Sequence, residues 1–263
     1  TDADGLSIGM IAQAGTGNAQ LAAETGIVAT GADETVTVTS LTGQLTVDDV
    51  ITTASGNVEL MATAGALLID AAVTTTAGTA TLTAGTTITS TAAGTITTTG
   101  ENAADQGTAG GAVLLHSTGA GAITLLGDIT ASGGNTTAGT NDGGDAGVIT
   151  VRNDSGSILI DDVTATGGTS AGGTAGADGT IQLSATTTIA QQAATDITAA
   201  DGNLKLVSTG GDVTLNNVTN TVAIVAADLT GASSLSYTDA DGLSIGMIAQ
   251  AGTGNAQLAA ETA

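Results

Sequence analysis

The sequence predicts an all-β fold, a parallel β-helix with three short strands per coil, and three observations carry that prediction. Residues 1–25, TDADGLSIGMIAQAGTGNAQLAAET, return without one substitution at 238–262, a period of 237 residues. The residue inventory suits a thin interior: 263 residues include 40 Gly but no Phe, Trp, Pro or Cys, and Tyr237 is the only aromatic. Between the two copies, a short polar residue or Gly followed by Ile or Val recurs in the same order and sense.

The period comes first, because an unrecognised repeat would misassign the whole fold. It divides the chain into 1–237, one full tandem repeat, and 238–263, the start of the next. The window therefore reads as part of a longer array.

The inventory comes next. Large aromatics supply much of the buried area of thick cores, so an interior built from Val, Ile, Leu, Ala and three Met must be only a few side chains wide. Thr, Val and Ile fit a pleated surface, and Gly supplies turns. Gly, Ser and Thr at this abundance also suit a disordered chain, but disordered chains lack regular apolar residues, and 41% of this one is hydrophobic.

The recurring phrase gives the coils. Its members are Gly26-Ile27, Asp49-Val50, Ala72-Val73, Thr95-Ile96, Asp128-Ile129, Asp162-Val163, Asp196-Ile197 and Asn217-Val218. Asp4-Gly5-Leu6 and its copy Asp241-Gly242-Leu243 close the period. Successive steps are 22, 23, 23, 23, 33, 34, 34, 21 and 24 residues, so about nine coils fill the repeat. At an inter-strand spacing of about 4.8 Å, nine coils advance roughly 43 Å.

Within a basic coil, NVELMATAGALLIDAAVTTTAG at 57–78 places Val58, Leu60, Leu67, Ile69 and Val73 toward the interior, alternating with Glu59, Leu68 and Asp70. Units repeating in one sense cannot be hairpins; they stack in parallel as solenoid turns. TVTVTS (35–40), TATLTAG (79–85) and VITVRN (148–153) repeat the alternation with Thr outward.

The three long steps carry loops at 100–111, 133–147 and 167–179, with sequences GENAADQGTAGG, GGNTTAGTNDGGDAG and GGTSAGGTAGADG. All leave and rejoin the coil at equivalent points and are expected to lie side by side. They read either as spacers on one edge or as a binding patch, since loops on a rigid scaffold often carry function.

Charge narrows the function classes. The formal charge is −23, and Arg152 and Lys205 are the only fixed cations. Affinity for nucleic acid comes from Lys and Arg, as does attraction to anionic membranes, so neither partner is expected. No apolar run is long enough to span a membrane.

Candidate sites are acidic. Asp49, Asp128, Asp162 and Asp196, with Asn217 as a neutral member, form the expected carboxylate column; Asp142 and Asp145 lie in the second long loop. Carboxylates about 4.8 Å apart repel by about 1 kcal/mol even in water, which exposure or a bound calcium would relieve, because Ca²⁺ prefers carboxylate and carbonyl oxygens. No complete calcium-loop motif is present. His116, the only histidine, has no Cys or second His with which to build a transition-metal site and reads as a surface strand residue. Thr-x-Thr rows, as in Thr35/Thr37/Thr39, suggest flat Thr arrays such as ice-binding faces carry, but they do not recur at the same place in every coil; outward β-forming Thr is the preferred reading. No catalytic residue or cofactor beyond calcium is expected.

GNLKLVSTGGDVTLNNVTNTVAIVAADL, SLSYTDADGLSIG and the re-entry phrases GGAVLL, DAGVITV and ADGTIQL resemble large repetitive bacterial surface proteins of the filamentous-haemagglutinin type, giant extracellular β-solenoid adhesins. The resemblance implies a right-handed helix, export to the cell surface and a fibrous or adhesive role without catalysis. Its partners would be copies of itself, end to end or bundled, and a cell surface or extracellular matrix. The alternatives are a module whose stacked loops bind carbohydrate, calcium or a neighbouring fibre, and, ranked last, a polysaccharide-active enzyme. With chain continuity through the duplicated segment, the seam between repeats is expected to be continuous solenoid.

Overall fold

The structure, a computed structural model, describes residues 1–10, 25–231 and 233–248. Among these the chain is all strand and turn, and every strand pairing is parallel. Among the described residues no helix is long and apolar enough to cross a membrane.

The strands stack in three columns. The first holds nine: Leu6–Ile8, Leu45–Val47, Leu67–Ile69, Ile88–Ser90, Ile123–Thr124, Ile158–Ile160, Ile189–Gln191, Val213–Leu215 and Leu235–Tyr237. The second runs from Ile27–Ala29 through Ile51–Thr53, Val73–Thr75, Ile96–Thr97, Ile129–Thr130 and Val163–Thr164. The third runs from Val36–Ser40 through Val58–Ala62, Ala80–Ala84, Val113–Ser117, Ile149–Asn153 and Thr180–Ala185. The long strands Ile197–Ser208 and Thr221–Leu229 belong to both of these columns and turn the corner between them, with a register shift between Ala199 and Asn203. Ser244–Ile245 ends the third column on Ile224 and Val225.

Each column points every second residue inward, and like residues stack. Leu45, Leu67, Ile88, Ile123, Ile158, Ile189 and Val213 form one buried ladder, and Leu60, Leu82, Leu115, Val151, Leu183 and Leu206 another. Each such side chain contributes about 1.5–3 kcal/mol by leaving water. The five interior residues expected at 57–78 are all buried, while Glu59 is exposed and Leu68 and Asp70 half-buried.

Corners are sealed by short polar side chains. The buried Thr53, Thr98 and Ser208 hydroxyls donate to the carbonyls of Gly56 (2.6 Å), Gly111 (2.6 Å) and Gly211 (2.6 Å). Asn153 Nδ2 donates to Gly121 and Ser157 carbonyls at 2.8 and 2.9 Å. Bends that no strand ladder serves thus keep their buried carbonyls satisfied.

Three sequence expectations need correction. The second column aligns Ile51, not Val50, with Val73, and Asn220, not Val218, falls opposite Ile197; Val50 and Val218 are exposed. Where two apolar residues adjoin, only the pleat decides which one faces in. Leu6 pairs with Leu45 in the first column, so it is no member of the Ile27 series. The Thr-x-Thr rows of the third column do not persist, as expected, since Thr37 and Thr39 face Glu59 and Met61 and Thr81 and Thr83 face Leu114 and His116, whereas in the second column Thr52, Thr74, Thr97, Thr130, Thr164, Thr198 and Thr221 lie opposite one another, outward, through seven coils. Finally, an outward row of the third column, Thr150, Gln182, Lys205 and Ala226, is buried. Alternation tells which side of the sheet a residue leaves, not what packs there.

Candidate functional site

The three long loops leave the second column and re-enter before the third. As expected they lie side by side, with Ala103, Thr136 and Ser170 bridged in parallel. Their outgoing and returning limbs are joined by one chain of backbone hydrogen bonds. The Thr108 N–H donates to Glu101 O (3.1 Å), Gly134 to Thr108 (2.8 Å), Gly144 to Gly134 (2.8 Å), Gly168 to Gly144 (2.8 Å) and Gly176 to Gly168 (2.8 Å). All six limbs are threaded by it.

This layer requires glycine. A Cβ on Gly144 would lie 1.9 Å from Thr108 O, one on Gly168 1.9 Å from Gly134 O, and one on Gly176 1.9 Å from Gly144 O. Backbone lies directly on backbone, with no side chain between.

The acidic loop residues fasten this layer. Asp142 Oδ1 accepts from the Thr174 N–H at 2.8 Å, and Asp145 Oδ1 from the Ala177 N–H at 2.8 Å. The Thr174 bonds hold the Asp142 carboxyl below the usual range. The buried Thr136 hydroxyl donates to Asp142 O (2.5 Å) and accepts from the Gly107 N–H (2.8 Å).

At the edge of the second column, before the loops depart, stands the carboxylate corner. Oxygens of Asp128, Asp161 and Asp162 lie within 4.8 Å of one another. Partial burial, then the Asp162 charge, pushes the Asp128 carboxyl up; burial, then Asp162 and Asp128, does the same to Asp161. Asp162 also accepts the Asp196 N–H, and Asp196 accepts the Thr219 hydroxyl. Such a corner can hold a shared proton or offer three oxygens to a hard cation.

Of the expected carboxylate column, then, Asp128 and Asp162 come together and Asp196 follows one coil on. Asp49 stands apart, one residue short of register, accepting its neighbour Val50 N–H at 2.9 Å. Asn217 is also out of register; its amide donates to the carbonyls of Gln192 (2.6 Å) and Thr195 (2.8 Å). Asp142 and Asp145 belong to the loop layer and not to this corner. Asp161 lies outside the recurring phrase, which takes only the residue directly before each apolar one, and Asp161 precedes that position by one.

His116 is not a surface residue. It is 7% exposed, and its Nε2 lies 2.9 Å from Asp154 Oδ2, while Arg152 Nε donates to Asp154 Oδ1 at 2.6 Å. His116 and Arg152 face each other across adjacent strands. Burial pushes the Asp154 carboxyl up, but the bonds and charges of His116 and Arg152 outweigh it and hold it below the usual range. The sequence signal is His116 and Arg152 at equivalent places of successive coils, with Asp154 two residues beyond Arg152. Comparison with protein-family models, curated proteins and solved structures finds no match for this chain.

Proposed function

We propose that the chain is a non-catalytic structural repeat of an extracellular filament or adhesin stalk. The observation that supports it most is the 237-residue recurrence laid along a single core that runs through all the coils. A solenoid whose coils contact only their neighbours gains length with each repeat and needs no closing interface. Its acidic surface keeps a repetitive strand array soluble. Chains of one, two and three periods, measured by small-angle scattering or electron microscopy, should lengthen by roughly 43 Å per period. A length that does not grow with repeat number rejects the reading.

A second reading, that the loops form a binding platform, draws on their fixed backbone layer beside the Asp128, Asp161 and Asp162 corner. Calcium is its candidate ligand, and carbohydrate or a neighbouring fibre its candidate partners. Deleting all three loops would abolish surface or fibre attachment if this reading holds; unchanged attachment would exclude it. A polysaccharide-active site ranks last, because Arg152 is engaged by Asp154 and the chain has few other cations to meet an acidic sugar.

A further inference from the structure

The loop stack is built differently at its end than in its middle. Glu101, Gly134 and Gly168 hold one place in the backbone chain through the loops, and Thr108, Gly144 and Gly176 the other. In the second and third loops these places are glycine because a Cβ would strike the layer beneath: one on Gly134 would lie 2.1 Å from Glu101 O, and one on Gly144 1.9 Å from Thr108 O. The first loop has Glu101 and Thr108 there. Their side chains point toward the preceding coils, and no fourth backbone layer fits below them.

What lies below them is a cleft of about 540 Å³. Thr30, Ser55, Thr76 and Ala77, at the corners of three coils that carry no loop, line one side, and Glu101 and Thr108 the other. Glu101 is the only charged group among the lining residues, in a chain whose formal charge is −23.

The same end of the stack presents backbone groups. Asn135 and Thr169 each donate an N–H to the loop beneath, to Asn102 Oδ1 (2.6 Å) and Asn135 Oδ1 (2.7 Å), and their carbonyls accept from Ala103 (3.0 Å) and Thr136 (2.8 Å) of that loop. Asn102 holds the equivalent place in the first loop. On the returning limb the Asp145 and Ala177 carbonyls accept from Gly110 (2.8 Å) and Ala146 (2.9 Å), and Ala109 is their equivalent. Neither Asn102 nor Ala109 has a protein partner for its N–H or its carbonyl among the described residues, and both residues are exposed.

We infer that this cleft binds a neutral carbohydrate. The inference deepens the reading of the loops as a platform, on which it rests, by naming the site and the ligand class. Donors (the Asn102 and Ala109 N–H groups) and acceptors (their carbonyls and the Glu101 carboxylate) lie beside hydroxyls that play either part. Thr108 Oγ1 accepts the Glu101 N–H at 2.6 Å, which leaves its own hydrogen to donate. A sugar hydroxyl also donates and accepts, so a run of them meets this mixture. Adjacent hydroxyls of one ring can donate together to the two Glu101 oxygens, a charge-assisted pair of bonds. A peptide would need the regular ladder that the Glu101 and Thr108 side chains block. An acidic sugar would bring its charge to a carboxylate with no cation among the lining residues.

Amide NMR signals of the whole chain, followed during titration with cellotetraose, maltotetraose and mannotetraose, test this. Tetragalacturonate and the peptide GGNTTAGTNDGGDAG serve as the competing ligand classes. At least one neutral sugar should shift Asn102 and Ala109 to saturation. Glu101→Ala should weaken that binding roughly tenfold or more. Ala54→Trp, at an exposed residue that also lines the cleft, should abolish it while the signals of the coil interior stay in place. The inference is overturned if no neutral sugar moves these two amides, if tetragalacturonate moves them equally well, or if the peptide alone does. Should loop deletion abolish attachment while these amides stay silent, the platform survives and the cleft is not its ligand site. Unchanged attachment with responding amides rejects the platform and leaves the cleft standing.

Discussion

The coil at 57–78 and the loop layer solve one packing problem in opposite ways. Both stack chain at the spacing of a parallel ladder. The coil fills the space between its walls with Val58, Leu60, Leu67, Ile69 and Val73, all buried, whereas the loop layer leaves no such space and sets Gly144, Gly168 and Gly176 against carbonyl oxygens. The first draws its stability from apolar area and tolerates exchange among aliphatics of similar size. The second depends on backbone hydrogen bonds and tolerates no Cβ, so its glycines act as packing residues.

Five substitutions break or sharpen that contrast. Leu82→Ala opens a cavity in the middle of an aliphatic ladder and should cost about 3–4 kcal/mol, read as a fall in the denaturation midpoint; a loss below about 1 kcal/mol would mean that the ladder is not close-packed. Gly144→Ala should cost about 2–3 kcal/mol, with amide exchange accelerating at Gly134, Gly144 and Gly168 while the coil at 57–78 stays protected. Gly139→Ala serves as its control within the same loop. A Cβ there meets nothing within 4 Å, but the φ of 80° leaves a strain of about 1 kcal/mol. If the two alanine variants lose equal stability, contact is not what selects glycine in the layer.

Asp161→Asn should act in the other direction, adding at most about 1 kcal/mol near neutral pH by removing one of three neighbouring like charges. The Asp128 and Asp161 carboxyls are raised in the folded state, so the folded chain binds more protons than the unfolded chain in that range. Their penalty is full above the folded value and fades as pH falls toward 3.8. The advantage of Asp161→Asn should therefore vanish in acid. Stabilisation by millimolar calcium that is lost in Asp161→Asn would support a cation at this corner; an unchanged response would remove the corner from the calcium reading.

The smallest effect belongs to Asp142→Asn. Its carboxyl is lowered by the Thr174 bonds, so its contribution is present above the unfolded value and disappears as pH falls through the folded one. The variant should be slightly less stable at neutral pH and indistinguishable in strong acid, as thermal denaturation across pH would show.

Much of this was legible because the dominant signal is repetitive. Alternation identified the interior of 57–78, and equal spacing identified three loops that leave at equivalent points. Register was less legible: Val50 and Ile51 are both β-formers, and nothing in the recurring phrase says which of them faces in, so Asp49 falls one residue out of register. The carboxylate corner was half found, because Asp161 joins Asp128 and Asp162 through the bend between columns and not through the ladder. His116 was misplaced because its partner Asp154 comes from the next coil, 38 residues on.

By itself the sequence determined the three-stranded parallel coil, the aliphatic interior and the loop positions. These follow from side-chain period and local hydrogen bonding, which travel with the residues. Tertiary structure alone decided which carboxylates meet and what becomes of the outward row of the third column. Asp161 reaches Asp128 and Asp162 across the bend, and Lys205 leaves the sheet outward yet is fully buried, because contacts made between coils leave no mark in the side-chain period.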